Sequence, residues 1–273
     1  CVGLSEELRI ARLVLQQGYI PIAVTSYNRK SGCWSPKDIP RIEAALQHFG
    51  QYDDEYTVYA MGSSSGGAFA VELLKKRIVK GALVMVMSLS EDRVNFIQNF
   101  KGPKERLKLY LAPMPRDKST LQHVIQNYHD LSSNTVHASE FVTLDDTSCV
   151  ALPVTTEYLM QRVVGMTFHL GDRLISQLKE ANHIDEMTNM LIKDPTRSNW
   201  REVLTTPLSP GEHVNMTHWL GIYDLRPGIS PLAKALHRAW AFHEYCSEVV
   251  VPAIRFFEGR DDGDPRQHNR AEL

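Results

Sequence analysis

Short apolar segments alternate with amphipathic ones along the first half of the chain, and this alternation is the strongest constraint on its fold. Residues 82–87 are apolar throughout, which is typical of a strand buried on both faces. Strands and helices in strict alternation predict βαβ units. The predicted strands are 19–26, 56–61, 82–87, 107–114 and 136–144, and the predicted helices are 6–17, 38–49, 68–79, 91–99 and 118–131. The predicted fold class is therefore α/β, with a doubly wound, mostly parallel sheet.

The pattern changes after residue 150, where only helical periods remain until about residue 204. We therefore expect an α/β core over 1–149 and a helical cap or insertion over 150–230. A long helix over 231–259, kinked or divided at Pro252, would return to the core. The polar tail, 260–273, is expected to be disordered.

Composition and charge exclude several classes of protein. The chain has 273 residues, of which 43% are hydrophobic and 23% are charged, as in an ordinary globular protein. The formal net charge of −2 and the absence of basic clusters with aromatics argue against a nucleic-acid partner. The longest apolar run is too short to cross a bilayer, so we expect no transmembrane segment in this chain.

Four cysteines occupy positions 1, 33, 149 and 246. No pair has the spacing of a zinc site, and four cysteines in a chain of this size do not make a disulfide scaffold. This usage favours a reducing compartment. Residue 1 is Cys and not Met, so a targeting signal upstream would not be visible here, and the cytoplasm is only the default location.

Three consecutive serines stand between glycines in VYAMGSSSGGAFA, residues 58–70. Gly62, Ser64 and Gly66 match the pattern G-x-S-x-G, with a predicted strand before it and a predicted helix after it. A nucleophile elbow has this context, because a sharp strand-to-helix turn exposes the serine hydroxyl at the edge of the sheet. Ser64 is the central residue, and the glycines, including Gly67, let the turn close. The alternative is a Gly/Ser turn that only caps a helix.

These residues resemble the nucleophile elbow of the α/β-hydrolase superfamily, and the resemblance covers about 4–144 and the last helix. If 56–61 corresponds to strand five of that family, the next three predicted strands are six, seven and eight. The resemblance implies that the backbone N–H of Ser65 binds the oxyanion. It also implies that strands one to three, with the loop that carries the second oxyanion donor, lie upstream of Cys1, so that this chain is N-terminally incomplete.

In this family the acid follows strand seven and the histidine follows strand eight, in the order Ser…Asp…His. Asp117, directly after the predicted strand 107–114, is the candidate acid, and Asp145 and Asp146 are held in reserve. Asp117 could instead only cap the following helix. The candidate base is His243, carried by the predicted helix 231–259, and the rival histidines are His218 and His237.

The sequence therefore predicts a serine hydrolase that acts on an ester or related acyl bond of a small molecule, through Ser64, His243 and Asp117. An acyltransferase with the same triad and a non-catalytic scaffold or fragment of this fold are the alternatives. No cofactor is implied, and the histidines are too scattered to suggest a metal site. Cys33 could be a reactive thiol but fits a structural role better, and Trp34 is expected near the pocket entrance.

Overall fold

The structure is a computed structural model that describes residues 5–28, 30–49, 56–100, 107–133, 140–205 and 230–260. Its sheet has four strands in the order β1-β2-β3-β4, and every neighbouring pair is parallel. The strands are β1 Tyr59–Ser63, β2 Gly81–Met85, β3 Lys108–Ala112 and β4 Val142–Leu144. The prediction of an α/β fold with a parallel sheet is therefore confirmed.

The helices that the structure describes are α1 Ser5–Gln16, α2 Ile39–His48, α3 Ser65–Lys75, α4 Glu91–Gln98, α5 Lys118–Ser133, α6 Thr156–Arg162, α7 Phe168–Glu180, α8 Trp200–Thr205, α9 Pro231–Trp240 and α10 Val250–Glu258. A Cβ on Gly81 would touch Phe257 of α10, and a Cβ on Gly67 of α3 would touch Val84. Gly81 and Val84 are three residues apart in one strand, so they face opposite sides. Helices α3 and α10 therefore pack on opposite faces.

The strand predicted over 19–26 is the clearest error of the sequence analysis. This segment has no regular secondary structure, and the side chain of Ile20 is 69% exposed. Within the described part of the chain, β1 pairs only with β2, and no strand is hydrogen-bonded to its other edge. An apolar run becomes a strand only where a partner supplies its hydrogen bonds, and the run itself does not show whether one is present.

The helix predicted over 231–259 is two helices. Helix α9 ends at Ala241, which has φ 55° and ψ 52° in the left-handed region. Helix α10 begins at Val250, and Pro252 lies in its first turn. Backbone N–H groups in a first turn have no intrahelical acceptor, so the N–H that proline lacks costs the helix no hydrogen bond. The break therefore falls at 241–249 and not at Pro252. His243 lies in this break.

The chain divides into two compact units, and each has a hydrophobic core of its own. The sheet unit comprises 14–113, 118–148 and 248–273, and the helical unit comprises 1–13, 114–117 and 149–247. Strands β2 and β3 supply the centre of the first core, where Leu83, Leu109 and Leu111 are fully buried. Helices α6, α7 and α9 supply the second core, as the helical periods after residue 150 predict. The tail predicted over 260–273 lies outside the described residues, except for Arg260.

Candidate active site

Ser64 occupies the turn between β1 and α3, in the sheet unit. Its backbone has φ 53° and ψ −125°, a combination that side chains with a Cβ rarely adopt. Holding a serine in such a conformation costs about 1–3 kcal/mol, which the surrounding structure must offset. Two hydrogen bonds hold the turn: the Ser64 N–H donates to Met85 O at 3.0 Å, and the Ser64 carbonyl accepts from the Ala68 N–H at 3.1 Å. The geometry is that of a strained strand-to-helix turn.

The glycines beside Ser64 allow the backbone to approach itself closely. A Cβ on Gly62 would lie 2.2 Å from both the carbonyl carbon and the carbonyl oxygen of Gly66, so no larger residue fits there. A Cβ on Gly67 would lie 3.0 Å from Gly62 O and from a methyl group of Val84. At Gly66 the nearest atoms, in the ring of Trp34, would be 3.5 Å and 3.6 Å away, which is ordinary contact. Gly62 is therefore the position where the turn most requires glycine.

The loop that carries Trp34 packs on the first turn of α3. The Trp34 ring stacks on Phe69 with centroids 4.8 Å apart, and the backbone N–H of Trp34 donates to the Ser65 hydroxyl at 3.3 Å. Buried Asp38 holds this loop, because it accepts from the Tyr27 N–H at 2.6 Å and from the Ser35 N–H at 2.9 Å. Burial alone would raise the pKa of Asp38, but these hydrogen bonds lower it. Ser65 is thereby fixed at the N-terminus of α3, where backbone N–H groups lack intrahelical partners.

His243 and Asp117 form a close pair in the helical unit. The Nδ1 atom of His243 lies 2.8 Å from Oδ2 of Asp117. The Asp117 side chain is 11% exposed, whereas the His243 side chain is 38% exposed. The carboxylate is therefore shielded from water while the imidazole stays open to a reactant. This is the arrangement in which a buried acid orients a histidine base.

Several contacts fix the segment that carries His243. Cys149 and Cys246 form a disulfide, with Cα atoms 5.9 Å apart and both residues fully buried. The Arg116 N–H donates to Ala241 O at 3.2 Å, which ties the segment of the acid to that of the base. The Ser247 N–H donates to a carboxylate oxygen of Glu6 at 2.9 Å.

That Glu6 carboxylate is itself held in place, because its other oxygen accepts from buried Arg162 at 2.8 Å. A buried ion pair is strongly destabilising to break, since the remaining charge has no compensation. The turn that carries the imidazole is therefore held at both ends by contacts within the helical unit.

The reserve acids have other surroundings. Asp145 accepts from the Tyr110 hydroxyl at 2.7 Å and from the Ser148 N–H at 2.9 Å, so it organises the loop after β4. Burial raises its pKa, but these hydrogen bonds outweigh that effect and lower it. Asp146 is exposed. The structure thus brings Asp117, and neither of these residues, to His243.

Of the rival bases, His218 lies outside the described residues, and His237 lies on α9 with its Nε2 buried and unpartnered among the described atoms. Burial lowers the pKa of His237 to about 4, with Lys234 and Arg201 adding to the effect. Cys33 is exposed and its thiol is free, and its backbone N–H donates to the Ser31 hydroxyl at 3.1 Å. Trp34, expected near a pocket entrance, packs against Phe69 of α3 and lies beside Gly66.

Two features of the helical unit were missed by the sequence analysis. The first is the Cys149–Cys246 disulfide, which spans 97 residues and has no spacing signature. Buried disulfides are typical of oxidising compartments, so the expectation of a reducing one loses its support. The second is the Arg116 guanidinium, which lies over the Trp240 ring at 3.3 Å from the centroid. Its only signal in the sequence is its position beside Asp117.

Comparison of the chain with protein-family models, with curated proteins and with solved structures finds no match. None of the helices that the structure describes is both long and apolar enough to cross a membrane. Within the same described ranges, no three His, Cys, Asp or Glu side chains are grouped so as to hold a metal ion. The class of the protein must therefore be argued from the chemistry of its own residues.

Proposed function

We propose that the protein is a serine hydrolase of the α/β-hydrolase type that cleaves an ester or related acyl bond. The observation that carries the proposal is the strained backbone of Ser64, between a strand and a helix and closed by Gly62 and Gly66. Such strain persists mainly where it serves function. A turn that only capped a helix would not need a serine at positive φ, since glycine adopts that conformation without a steric cost.

The base in this proposal is His243, oriented by Asp117. With Nδ1 bonded to the carboxylate, the neutral ring carries its proton on Nδ1 and keeps a lone pair on Nε2. Nε2 takes the Ser64 proton as Oγ bonds to the carbonyl carbon. The resulting imidazolium gives that proton to the leaving group as the ester bond breaks. Water, activated by the same histidine, then displaces the acyl group from Ser64 and restores the hydroxyl.

The oxyanion of each tetrahedral intermediate would be bound by the backbone N–H of Ser65. This N–H belongs to the first residue of α3 and benefits from the positive end of the helix dipole. One such donor is worth about 10²–10³ in rate. The contact between the Ser65 hydroxyl and the Trp34 N–H holds the residue without using its own N–H.

The test is labelling by a fluorophosphonate probe, which reacts with activated serines and needs no knowledge of the substrate. Purified full-length protein is compared with its Ser64→Ala variant and with Ser63→Ala, a matched neighbour in the same serine run. We expect labelling of the wild type and of Ser63→Ala, none of Ser64→Ala, and the adduct on Ser64 in the digested peptide. Absence of labelling in protein with a cooperative unfolding transition would contradict the proposal and favour a non-catalytic scaffold.

Hydrolysis and acyl transfer are then separated by their products. Once a turned-over ester is found, the reaction is repeated with added alcohol or amine acceptors. Release of free acid at a rate independent of acceptor supports the hydrolase. If the acyl group appears on the acceptor in preference to free acid, the protein is an acyltransferase and not a hydrolase.

A further inference from the structure

Helix α9 presents a stripe of half-buried residues at every third position. Pro231, Lys234, His237 and Trp240 are partly exposed, while the positions on either side of each are buried. Residues three apart are neighbours on a helix surface, so each member of this stripe adjoins the next. The stripe combines a cation, a histidine and an indole, which is unusual for a surface that only faces solvent.

The Arg116 guanidinium covers the end of this stripe. It stacks on the Trp240 ring, and burial lowers its pKa while Asp194 partly opposes the shift. Among the described residues, its side chain makes no hydrogen bond and no ion pair. Arg116 is only partly buried, and a guanidinium has five N–H donors and keeps its charge, so these donors are available to an acceptor that approaches from solvent. Stacking on an indole supplies attraction but no acceptor for these donors.

The nearby carboxylates have partners of their own. Asp194 lies 3.8 Å from Arg197 and accepts from the N–H and hydroxyl of Thr196 at 2.8 Å and 2.7 Å. Glu244 pairs with Lys234 at 2.8 Å. These carboxylates are therefore occupied, and neither forms an ion pair with Arg116.

His237 lies on the same stripe, between Lys234 and Trp240. Its Nε2 is buried and has no hydrogen-bond partner among the described residues, and a buried polar atom of this kind calls for one. Burial, Lys234 and Arg201 together keep the ring neutral near pH 7, because they lower its pKa to about 4. A neutral imidazole can donate one N–H to an acceptor. Trp240, on which Arg116 stacks, lies three residues beyond His237 on α9, so the two side chains flank the same indole ring.

We propose that Arg116 and His237, with the Trp240 ring beneath the guanidinium, bind an anionic group of the substrate, a carboxylate or a phosphate. Planar, paired N–H donors match both groups in geometry and charge. The backbone of Arg116 already ties Asp117 to the segment of His243, so the anion donor and the His–Asp pair are held by one short stretch. The role in substrate binding rests on the proposed hydrolase function, whereas the anion site itself does not.

Binding is measured first, without turnover, by calorimetric titration of the Ser64→Ala protein. The probes are glutarate, inorganic phosphate and neutral glutaramide. We expect saturable binding of an anion and no binding of glutaramide. Whichever of glutarate and phosphate binds more tightly identifies the group as a carboxylate or a phosphate. Arg116→Gln should weaken anion binding by about tenfold or more, as expected for a lost charged hydrogen bond. The control Arg12→Gln, an exposed arginine of α1, should bind as its parent does.

A variant that fails to fold is replaced by Arg116→Lys, which keeps the charge but loses the planar donor pair and should also bind more weakly. Equal binding by Arg116→Gln and Arg12→Gln, or no saturable binding of either anion, would overturn the anion site.

The substrate role is tested by the ratio of kcat/KM for mono-p-nitrophenyl glutarate to that for p-nitrophenyl butyrate. We expect a preference for the charged ester in the wild type and in Arg12→Gln, and a ratio about tenfold lower in Arg116→Gln. Turnover without any charge preference overturns the inference and leaves the hydrolase standing. Anion binding that depends on Arg116 in a protein whose Ser64 does not label overturns the hydrolase and leaves the anion site.

Discussion

The His243 imidazole and the Asp117 carboxylate lie 2.8 Å apart although 126 residues separate them in the chain. The acid is shielded from solvent and the base is open to it. The carboxylate therefore holds Nδ1 of the imidazole and leaves Nε2 available to a reactant. A surface ion pair would expose both partners and would contribute little. The asymmetry is the property that a general base requires.

Asp117→Asn should slow probe labelling of Ser64 by about 10³–10⁴-fold, because an amide can stabilise the wrong tautomer and cannot stabilise imidazolium. Asp146→Asn, an exposed carboxylate after β4, is the matched control and should label at the wild-type rate. The measurement is the second-order rate of fluorophosphonate labelling, with thermal unfolding to show that both variants fold. Labelling of Asp117→Asn at the wild-type rate would remove Asp117 from the proposed triad.

Ser64→Gly should be more stable than Ser64→Ala by about 1 kcal/mol, since glycine relieves a positive φ that alanine retains. At Ser65, the first residue of α3, the order should reverse, because glycine is about 1 kcal/mol worse than alanine in a helix. Urea unfolding of the four variants measures both differences. An alanine variant more stable than the glycine variant at position 64, as at position 65, would show that Ser64 is not strained.

Replacing Cys149 and Cys246 together by alanine should lower the free energy of unfolding by about 4–5 kcal/mol, the loop-entropy value for a closed loop of this length. Probe labelling should also fall, because Cys246 lies three residues beyond His243. Denaturant unfolding with and without reductant gives the comparison, and reductant should not affect the double variant. A wild type as unstable as the double variant under oxidising conditions would show that the bridge contributes nothing.

The stability of the helical unit should fall as the pH decreases from about 6.5 to about 4. His237 has a folded pKa of about 4, lowered by burial, then by Lys234 and Arg201, and opposed by Asp194. The unfolded chain binds this proton near pH 6.5, so the stabilisation is complete above that pH and is lost as the pH falls through the folded pKa. The loss is about 2 kcal/mol after allowance for solvent screening.

His237→Gln should flatten this pH dependence, whereas His123→Gln, an exposed histidine of α5, should keep it. Urea unfolding at pH 7.5, 6.5, 5.5 and 4.5 gives the slopes. Parallel curves for wild type and His237→Gln would mean that His237 titrates in the folded state as it does in the unfolded chain.

Features that depend on neighbours along the chain can be predicted from the amino-acid sequence alone. Apolar patterning identifies β2, β3 and the helix α4 between them, because burial on one or both faces leaves a repeating pattern. The turn at Ser64 is equally local, since Gly62 and Gly66 must meet within a few residues for β1 to pass into α3.

Features that depend on partners far away in the chain become visible only in the folded protein. The run 19–26 is as apolar as a strand, but no strand pairs with it in the described part of the chain. Only folding brings Asp117 within hydrogen-bond distance of His243, pairs Cys149 with Cys246, and sets Arg116 on Trp240. A residue's type limits which bonds it can form, whereas the packing of elements far apart in the chain determines which of them it does form.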